Sequence, residues 1–398
     1  MPRILFVDHS GSLGGAELYL RDVLRAYPYS TTVTFENGPF PRTLVEDGRS
    51  VHVLTGTSAL RNVQKQSSVF DVLLAIPGGL ALVRDLRKLA RNHDVVFLNS
   101  QKALFPGALA ARLAGRPVLW NLHDILSADH FSSLNRRMAV WWANWFVDTV
   151  IVNSEATRSA FVQSGGSGSK TRLVYNGIDV SPFETTSDAE VQGIREALGT
   201  AGVPCVGVFS RLAPWKGQHV LLDALTDVPG VHALLVGDAL FAGDRPYAKS
   251  LRSQARRLGI ADRVHFLGFR SDIPALMQAV DVVAHTSTAP EPFGRVIVEG
   301  LLAGRPVIAT RAGGASEILN HGETGYLVPP GDAQTLADVL RTLTAPGSSD
   351  EATIRKDVQQ VVDAGSSMAR ARFSVNRMHN GIEECVEACM GVARQAVS

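Results

Sequence analysis

The sequence predicts an α/β protein built from two doubly wound, Rossmann-like domains. Short β-rich runs alternate with longer helical patterns in both halves of the chain, which is typical of parallel sheets with crossover helices. Most of these runs are apolar almost throughout, as expected for strands buried on both faces. The 398 residues also exceed what one hydrophobic core usually supports, which favours two domains.

The strand candidates fall into two groups separated by a turn signal. The first half contains RILFVDHS, TTVTFEN, VHVL, DVVFLNS, PVLWNLHD, TVIVNSE and TRLVYNG, and the second contains VPCVGVFSRL, VHALLVGD, VHFLGF, DVVAHTS and RPVIATRAG. The turn at Asn176-Gly177-Ile178-Asp179 predicts domains over residues 1–179 and 180–373. A terminal helix is predicted over about residues 374–398, with Ser374 as its N-cap.

Composition excludes several classes of function. The net charge of +1 and the absence of nucleic-acid-binding motifs argue against a DNA or RNA partner. Cys205, Cys385 and Cys389 have neither disulfide nor zinc-ligand spacing, which fits a reducing cytoplasm. The first residues are interpreted as a strand rather than a signal peptide, and no apolar run is long enough to cross a membrane.

Two motifs in the first half stand where a strand ends and a helix begins, the usual ligand-binding position in parallel sheets. In SGSLGGAE, Gly11, Gly14 and Gly15 allow close approach of the backbone to a ligand, ahead of a helix predicted from about Ala16. The dinucleotide fingerprint cannot be read from these glycines, and a purely structural turn is the alternative. In NLHD, His123 ends a strand, and a lone histidine is more often structural.

Two motifs in the second half predict a phosphate and sugar site. In SRLAPWKGQ, Arg211 and Lys216 precede a helix whose N-terminus adds to their positive charge, unless both are solvated surface cations. In PEPFGRVIVEG, Glu291 lies on a loop and Pro292 is predicted at the first position of a helix beginning near Phe293. The backbone amides at this helix start can bind phosphate, and Glu299, about two turns along, can reach a ribose hydroxyl. The alternative is that both glutamates are ordinary surface residues.

Taken together and in order, GGAE, HD, NGID, SRLAPWKG and PEPFGRVIVEGLLAGRPVIATRAGGASEILNHGETGYLVPPGD resemble the family 4 glycosyltransferases, retaining enzymes of GT-B fold. The resemblance covers most of the chain and is densest from about Val203 to Asp332. It implies two Rossmann-like domains facing a cleft, with a final helix that packs back on the first. It also implies transfer of a sugar from a UDP- or GDP-linked donor to a hydroxyl of a glycan, a glycolipid or a small molecule.

The resemblance assigns roles to individual residues. It implies that Arg211 and Lys216 bind the donor diphosphate, that Glu291 contacts the donor sugar, that Glu299 binds the ribose, and that His123 lies near the transferred sugar. It implies neither a metal nor a cofactor besides the donor, and a front-face course in which the leaving phosphate helps to take the acceptor proton. The further donor-binding residues that it implies are Gly14, Gly15, Arg270, Asp272, Phe293, Gly294, Arg295 and Val296.

Other interpretations stay open at this stage. A nucleotide-sugar epimerase or a phosphorylase would use the same architecture, and a nicotinamide-dependent oxidoreductase is disfavoured by the missing fingerprint. Gly300 replaces the alanine common in the family and weakens its helix by about 1 kcal/mol. The segment LNRRMAVWWANWFVD combines basic and aromatic residues, so peripheral contact with a membrane is one expectation and tryptophans packed on the sheet are the other.

Overall fold

The computed structural model describes residues 1–54, 76–127, 131–344 and 351–395. The chain divides into two compact units. Unit 1 comprises Met1–Gly177 together with Val375–Ser398, and unit 2 comprises Ile178–Ser374. The predicted boundary after residue 179 therefore lies two residues from this division.

Unit 1 contains a seven-stranded parallel sheet in the order β3-β2-β1-β4-β5-β6-β7. All seven strands lie within the predicted runs or overlap them. Their bounds are β1 Ile4–Asp8, β2 Thr31–Thr34, β3 Ser50–Val53, β4 Val95–Leu98, β5 Val118–Leu122, β6 Thr149–Val152 and β7 Thr171–Leu173. The chain order reverses direction between β1 and β4, so the loops that follow these two strands meet at the switch point of the sheet.

Helices join these strands, and the end of the chain returns to the same unit. The helices of unit 1 are α1 Gly15–Leu24, α2 Pro39–Glu46, α3 Ile76–Ala90, α4 Gln101–Leu113, α5 Ser133–Phe146, α6 Glu155–Gln163 and α16 Val375–Gln395. The last of them begins directly after Ser374, as predicted, and buries Met378, Ile382, Cys385 and Cys389 against the apolar core of unit 1. The two cysteines are thus packing residues.

Unit 2 contains a six-stranded parallel sheet in the order β10-β9-β8-β11-β12-β13, the strand order of the Rossmann fold. Its strands are β8 Cys205–Phe209, β9 His232–Val236, β10 Val264–Gly268, β11 Val282–His285, β12 Val307–Thr310 and β13 Tyr326–Val328. The edge strand β13 was not among the sequence predictions, because its three residues between Gly325 and Pro329 are too short a run to show strand character. The switch point lies between β8 and β11.

The helices of unit 2 place the predicted motifs around this switch point. They are α7 Ser181–Thr185, α8 Asp188–Ala197, α9 Gln218–Ala224, α10 Arg245–Arg257, α11 Ile273–Gln278, α12 Arg295–Leu302, α13 Ala315–Ile318, α14 Ala333–Thr344 and α15 Glu351–Arg372. On α12, a Cβ at Gly300 would lie 2.9 Å from Val307 Cγ2 and 3.0 Å from Val283 Cγ1. Gly300 therefore allows α12 to pack closely on β11 and β12, which accounts for a glycine where helix propensity disfavours it.

Candidate functional site

An ion pair joins the two loops at the switch point of unit 2. Lys216 follows β8 and Glu291 follows β11, and Lys216 Nζ lies 2.6 Å from Glu291 Oε2. Both side chains are only 14% exposed. Parallel strands end at the same edge of a sheet, which is why residues 75 positions apart in the chain meet here.

Two further polar side chains contact the Glu291 carboxylate. His285 Nε2 lies 3.3 Å from Glu291 Oε2, and Ser287 Oγ donates to the same oxygen at 3.2 Å. Burial alone would raise the pKa of Glu291, but the charge of Lys216 and the hydrogen bond and charge of His285 hold the pKa of this carboxyl well below its usual range. Glu291 is therefore ionised, and its oxygens are positioned to accept hydrogen bonds.

Backbone contacts hold the two loops together. The Thr286 hydroxyl donates to the Lys216 carbonyl at 3.0 Å, and the Thr288 amide donates to the Trp215 carbonyl at 2.8 Å. Gly217 has a φ of 67°, and a Cβ there would lie 1.9 Å from the Thr286 carbonyl oxygen. The close approach of the two loops at this point requires glycine.

Arg211 stands beside the same aromatic ring as Lys216. Its guanidinium carbon lies 5.4 Å from the centre of the Trp215 ring and 5.0 Å from that of Phe241, while Lys216 Nζ lies 4.2 Å from the Trp215 ring. The half-buried Trp215 thus places two cations near one point. The interpretation of Arg211 and Lys216 as solvated surface cations does not describe this arrangement.

Helix α12 begins later than predicted. It starts at Arg295 with Gly294 as N-cap, and the φ of 94° at Gly294 is the left-handed conformation that favours glycine. The predicted start near Phe293 with Pro292 in the first helical position is therefore wrong, because the turn at Gly294 separates Pro292 from the helix. The Phe293 side chain is buried edge-on against Phe373, which leaves its backbone to line the loop.

The other predicted donor-binding residues of unit 2 form ion pairs or line a cavity. Arg295 Nε lies 3.5 Å from Glu299 Oε1 one turn along α12. Arg270 and Asp272 form an ion pair with each other after β10. The last of these residues, Val296, lines a small cavity together with Ser210, Lys216, His285, Thr286 and Ser287.

Unit 1 has its own polar cluster at the switch point between β1 and β4. Asn99 Nδ2 lies 2.5 Å from Asp8 Oδ2, and Asn99 Oδ1 lies 2.9 Å from His123 Nε2. Asn121 Nδ2 is also 2.9 Å from His123 Nε2, and the ring of Tyr19 packs edge-on against the imidazole at 5.0 Å between centroids. His123 is thus contacted by side chains from three segments of unit 1, those of Tyr19, Asn99 and Asn121.

The glycine loop of unit 1 is held by an acid. Gly14 is the N-cap of α1, and its amide donates to Glu17 Oε2 at 2.9 Å. A Cβ at Gly11 would lie 2.4 Å from the Asn37 carbonyl oxygen, so that glycine serves the packing of two loops. Burial and the charge of Asp8 raise the pKa of Glu17 to about 7.

This raised pKa predicts a pH-dependent stability. The pKa of Glu17 is about 7 in the folded state and takes the ordinary value of 4.5 in the unfolded chain. Between these two pH values the unfolded chain has lost the proton and the folded state still holds it, so the free energy of unfolding falls as the pH rises through this window. Glu17→Gln cannot ionise and should match the wild type near pH 5. Near pH 8 it should exceed the wild-type free energy of unfolding by on the order of 2 kcal/mol. Urea unfolding at both pH values measures this, and parallel pH profiles of the two proteins would contradict it.

Sequence reasoning missed several residues of these clusters. His285, Ser287, Asn99, Asn121 and Asp8 were passed over, although Asn121 is the last residue but one of β5 and the other four end or follow an apolar strand. The signal was a polar residue closing a buried run, as in FVD, FLN and VAH. Among the described residues, no group of three or more His, Cys, Asp or Glu side chains could hold a metal ion, and no helix is long and apolar enough to cross a membrane.

The two parallel sheets of Rossmann type belong to the GT-B fold, which the chain shares with glycosyltransferases of known structure. The structure of Anabaena Alr3699/HepE in complex with UDP-glucose is 42% identical, with a TM-score of 0.87 over 98% of this chain and 100% of that one. Sucrose-phosphate synthase from Thermosynechococcus elongatus shares the fold at 19% identity, with a TM-score of 0.80 over 98% of this chain and 100% of that one.

Sequence comparisons give the family. Residues 194–357 match the family described as Glycosyl transferases group 1, and residues 40–182 match Glycosyltransferase Family 4. The GDP-mannose-dependent alpha-(1-6)-phosphatidylinositol monomannoside mannosyltransferase of Mycobacterium tuberculosis is 31% identical over 285 residues, 67% of this chain and 71% of that protein. The D-inositol 3-phosphate glycosyltransferase of Corynebacterium urealyticum is 35% identical over 228 residues, 54% of this chain and 53% of that protein. The chain belongs to glycosyltransferase family 4.

Proposed function

We propose that this glycosyltransferase moves a sugar from a nucleoside diphosphate sugar to an acceptor hydroxyl, with retention at the anomeric carbon, and that unit 2 holds the donor. The buried pair of Lys216 and Glu291 at the switch point carries this proposal. A cation and an ionised carboxylate held together at the strand ends can bind a phosphate and a sugar hydroxyl side by side.

Each group has a role in this proposal. Lys216 and Arg211 stabilise the negative charge of the diphosphate, which grows as the sugar leaves. Glu291 accepts hydrogen bonds from sugar hydroxyls, Glu299 accepts them from the ribose, and the loop at Gly294 adds backbone amides. The assignments of Gly14, Gly15, His123, Arg270 and Asp272 stay predictions from the resemblance.

The proposed reaction follows a front-face course. The bond between the anomeric carbon and the β-phosphate oxygen breaks, and its electron pair stays on that oxygen. The acceptor oxygen bonds to the anomeric carbon from the same face, and its proton passes to the leaving phosphate. The two cations supply the charge that a metal would otherwise supply, so we expect transfer to survive treatment with EDTA.

A panel of donors tests the proposal. A ligand that binds the folded state raises its melting temperature by mass action. Because the HepE structure at 42% identity holds UDP-glucose, we expect UDP-glucose to raise the melting temperature more than GDP-mannose or an ADP-sugar does. Incubation with the donor alone separates transfer from epimerisation, since an epimerase would convert the sugar without an acceptor. The absence of a shift with every donor would defeat the proposal.

A surface of unit 1 favours an acceptor at the cytoplasmic face of a membrane. Leu134, Met138, Trp141 and Trp145 are 46%, 36%, 53% and 70% exposed, and their spacing along α5 places them on one side of the helix. The expectation that the tryptophans pack on the sheet is wrong for Trp141 and Trp145. We propose that this stripe, next to the exposed and basic Arg137, enters the headgroup region of a lipid bilayer and brings the enzyme to a lipid-linked acceptor.

Sedimentation with liposomes measures this contact. The double variant Trp141→Ser/Trp145→Ser should lose most of its binding to vesicles containing anionic lipid, because serine lacks the amphipathic ring that tryptophan places in the membrane interface. Tyr29→Ser, at an aromatic of unit 1 that is 83% exposed and lies outside the stripe, is the control and should bind like the wild type. Failure of the wild type to pellet with any vesicle would remove the membrane contact.

A further inference from the structure

We propose that Phe241 is a positioning residue of the donor site. Together with Trp215 it holds the Arg211 guanidinium against aromatic rings and leaves the hydrogen-bond donors of that guanidinium to a diphosphate. The consequence for donor binding rests on the function proposed above. The contacts that hold Arg211 do not depend on that function.

The Phe241 side chain is an aromatic that core packing does not explain. It is 56% exposed and follows β9, in the loop that leads to α10. The guanidinium carbon of Arg211 lies 5.0 Å from the centre of its ring. A large apolar ring that is left mostly in water gains little from burial, so the contact with this cation is the feature that favours an aromatic residue here.

The loops that carry Arg211 and Phe241 are joined through their backbones. The Leu212 amide donates to the Asp238 carbonyl at 3.0 Å, and the Asp244 amide donates to the Phe241 carbonyl at 2.9 Å. The first bond connects the loops that follow β8 and β9, and the second closes the turn that leads into α10. Phe241 therefore meets Arg211 from a loop whose backbone is fixed.

The aromatic rings hold Arg211 without using its hydrogen-bond donors. Its guanidinium carbon lies 5.4 Å from the centre of the Trp215 ring, in addition to the contact with Phe241. Within the described part of the chain, the half-buried Arg211 side chain forms no hydrogen bond and no ion pair. A guanidinium has five N–H donors, and attraction to a ring face uses none of them. All five therefore stay available to an anionic ligand.

The other arginines of the predicted donor site are held differently. Arg270 is paired with Asp272, and Arg295 Nε lies 3.5 Å from Glu299 Oε1. A carboxylate competes with a phosphate for the same donors, whereas a ring keeps its contact when a phosphate binds. Rings also restrict the rotamers of a long side chain, so less conformational entropy is lost on binding. The two rings thus prepare Arg211 for a bidentate contact with a diphosphate.

The order of the Arg211 side chain in the free enzyme tests the contact directly. Relaxation of its Nε–H signal is measured in protein labelled with 15N-arginine, and the signal is assigned by its loss in Arg211→Lys. Phe241→Leu keeps an apolar side chain and removes the ring. We expect the order parameter of Nε–H to be lower by about a third in this variant than in the wild type. Equal order in both proteins would overturn the role of Phe241.

Binding of UDP, measured by calorimetry, tests the consequence for the donor site. We expect Phe241→Leu to raise the Kd of UDP about tenfold, because Arg211 is then no longer held in position. If Phe241 acts only through Arg211, the double variant Arg211→Ala/Phe241→Leu should bind UDP as Arg211→Ala does. A further loss of about tenfold in the double variant would show that Phe241 contacts the nucleotide itself, and it would overturn the positioning role.

Phe266→Leu is the matched control. Phe266 lies on β10, outside the proposed contacts, and the guanidinium carbon of Arg252 lies 4.2 Å from the centre of its ring. This variant removes the same kind of contact from another arginine of unit 2 and should leave the Kd of UDP unchanged. A similar loss of UDP affinity in Phe266→Leu would show that the effect does not depend on Arg211.

The outcomes separate this proposal from the proposed function. A wild type that binds none of UDP, GDP and ADP would defeat the proposed function, and the order of Arg211 in the free enzyme would still decide the role of Phe241. A wild type that binds UDP, with Phe241→Leu binding it equally well, would leave the proposed function intact and overturn the role of Phe241.

Discussion

Replacing Lys216 by alanine is expected to lower kcat for sugar transfer by at least about 100-fold, the scale of removing one preorganised charge. Lys216 Nζ lies 2.6 Å from Glu291 Oε2 and shares the Trp215 ring with Arg211, so the variant removes one of the two cations at this point of the site. Glu291→Ala should have an effect of the same size, because it removes the ionised acceptor for the sugar. Steady-state kinetics with saturating donor measures both effects.

Both variants should remain folded. Lys216→Ala leaves the Glu291 carboxylate with His285 and Ser287 as partners, and the pKa of Glu291 should rise towards its usual range. The matched control is Lys249→Ala, which removes an exposed lysine of the same unit and should keep wild-type kcat. Transfer at the wild-type rate by both Lys216→Ala and Glu291→Ala would refute the assignment of the site.

Alanine at Gly217 should destabilise unit 2 by roughly 2 to 4 kcal/mol, or prevent its folding. The φ of 67° costs an L-residue about 1 to 2 kcal/mol, and overpacking adds a similar amount. The added Cβ would lie 1.9 Å from the Thr286 carbonyl oxygen, which is a backbone atom and cannot rotate away. The loops that carry Lys216 and Glu291 would have to separate, and donor binding should be lost as well.

Gly259→Ala provides the matched comparison for this effect. Gly259 has a φ of 69°, and an added Cβ would meet no heavy atom within 4 Å. It should therefore cost only the conformational energy, about 1 to 2 kcal/mol. Urea unfolding of the two variants measures the difference, and equal losses of stability would show that the contact at Thr286 has no energetic importance.

The fold was predictable because its signals are local. Runs such as RILFVD and VPCVGVF are apolar throughout, and a parallel strand buried on both faces needs nothing else to be recognised. The turn signal at Asn176-Gly177 is also local, and the boundary predicted from it after residue 179 lies two residues from the division between the units. The edge strand Tyr326–Val328 was missed because three residues carry no period.

The candidate site was only partly predictable, because its contacts are long-range. The chemistry of Lys216 and Glu291 could be expected from the motifs, but their direct ion pair across 75 residues depends on the strand order. The contact of Asn99 with Asp8 spans 91 residues and has no local signal. The start of α12 was misjudged because proline is favoured in a first helical turn, whereas here the conformation of Gly294 decides where the helix begins.

A crystal structure of the enzyme with a bound UDP-sugar would locate the donor diphosphate. We expect a β-phosphate oxygen about 3 Å from Lys216 Nζ and a sugar hydroxyl that donates to Glu291 at a similar distance. A diphosphate bound away from the ends of β8 and β11, with Lys216 and Glu291 contacting neither phosphate nor sugar, would contradict it.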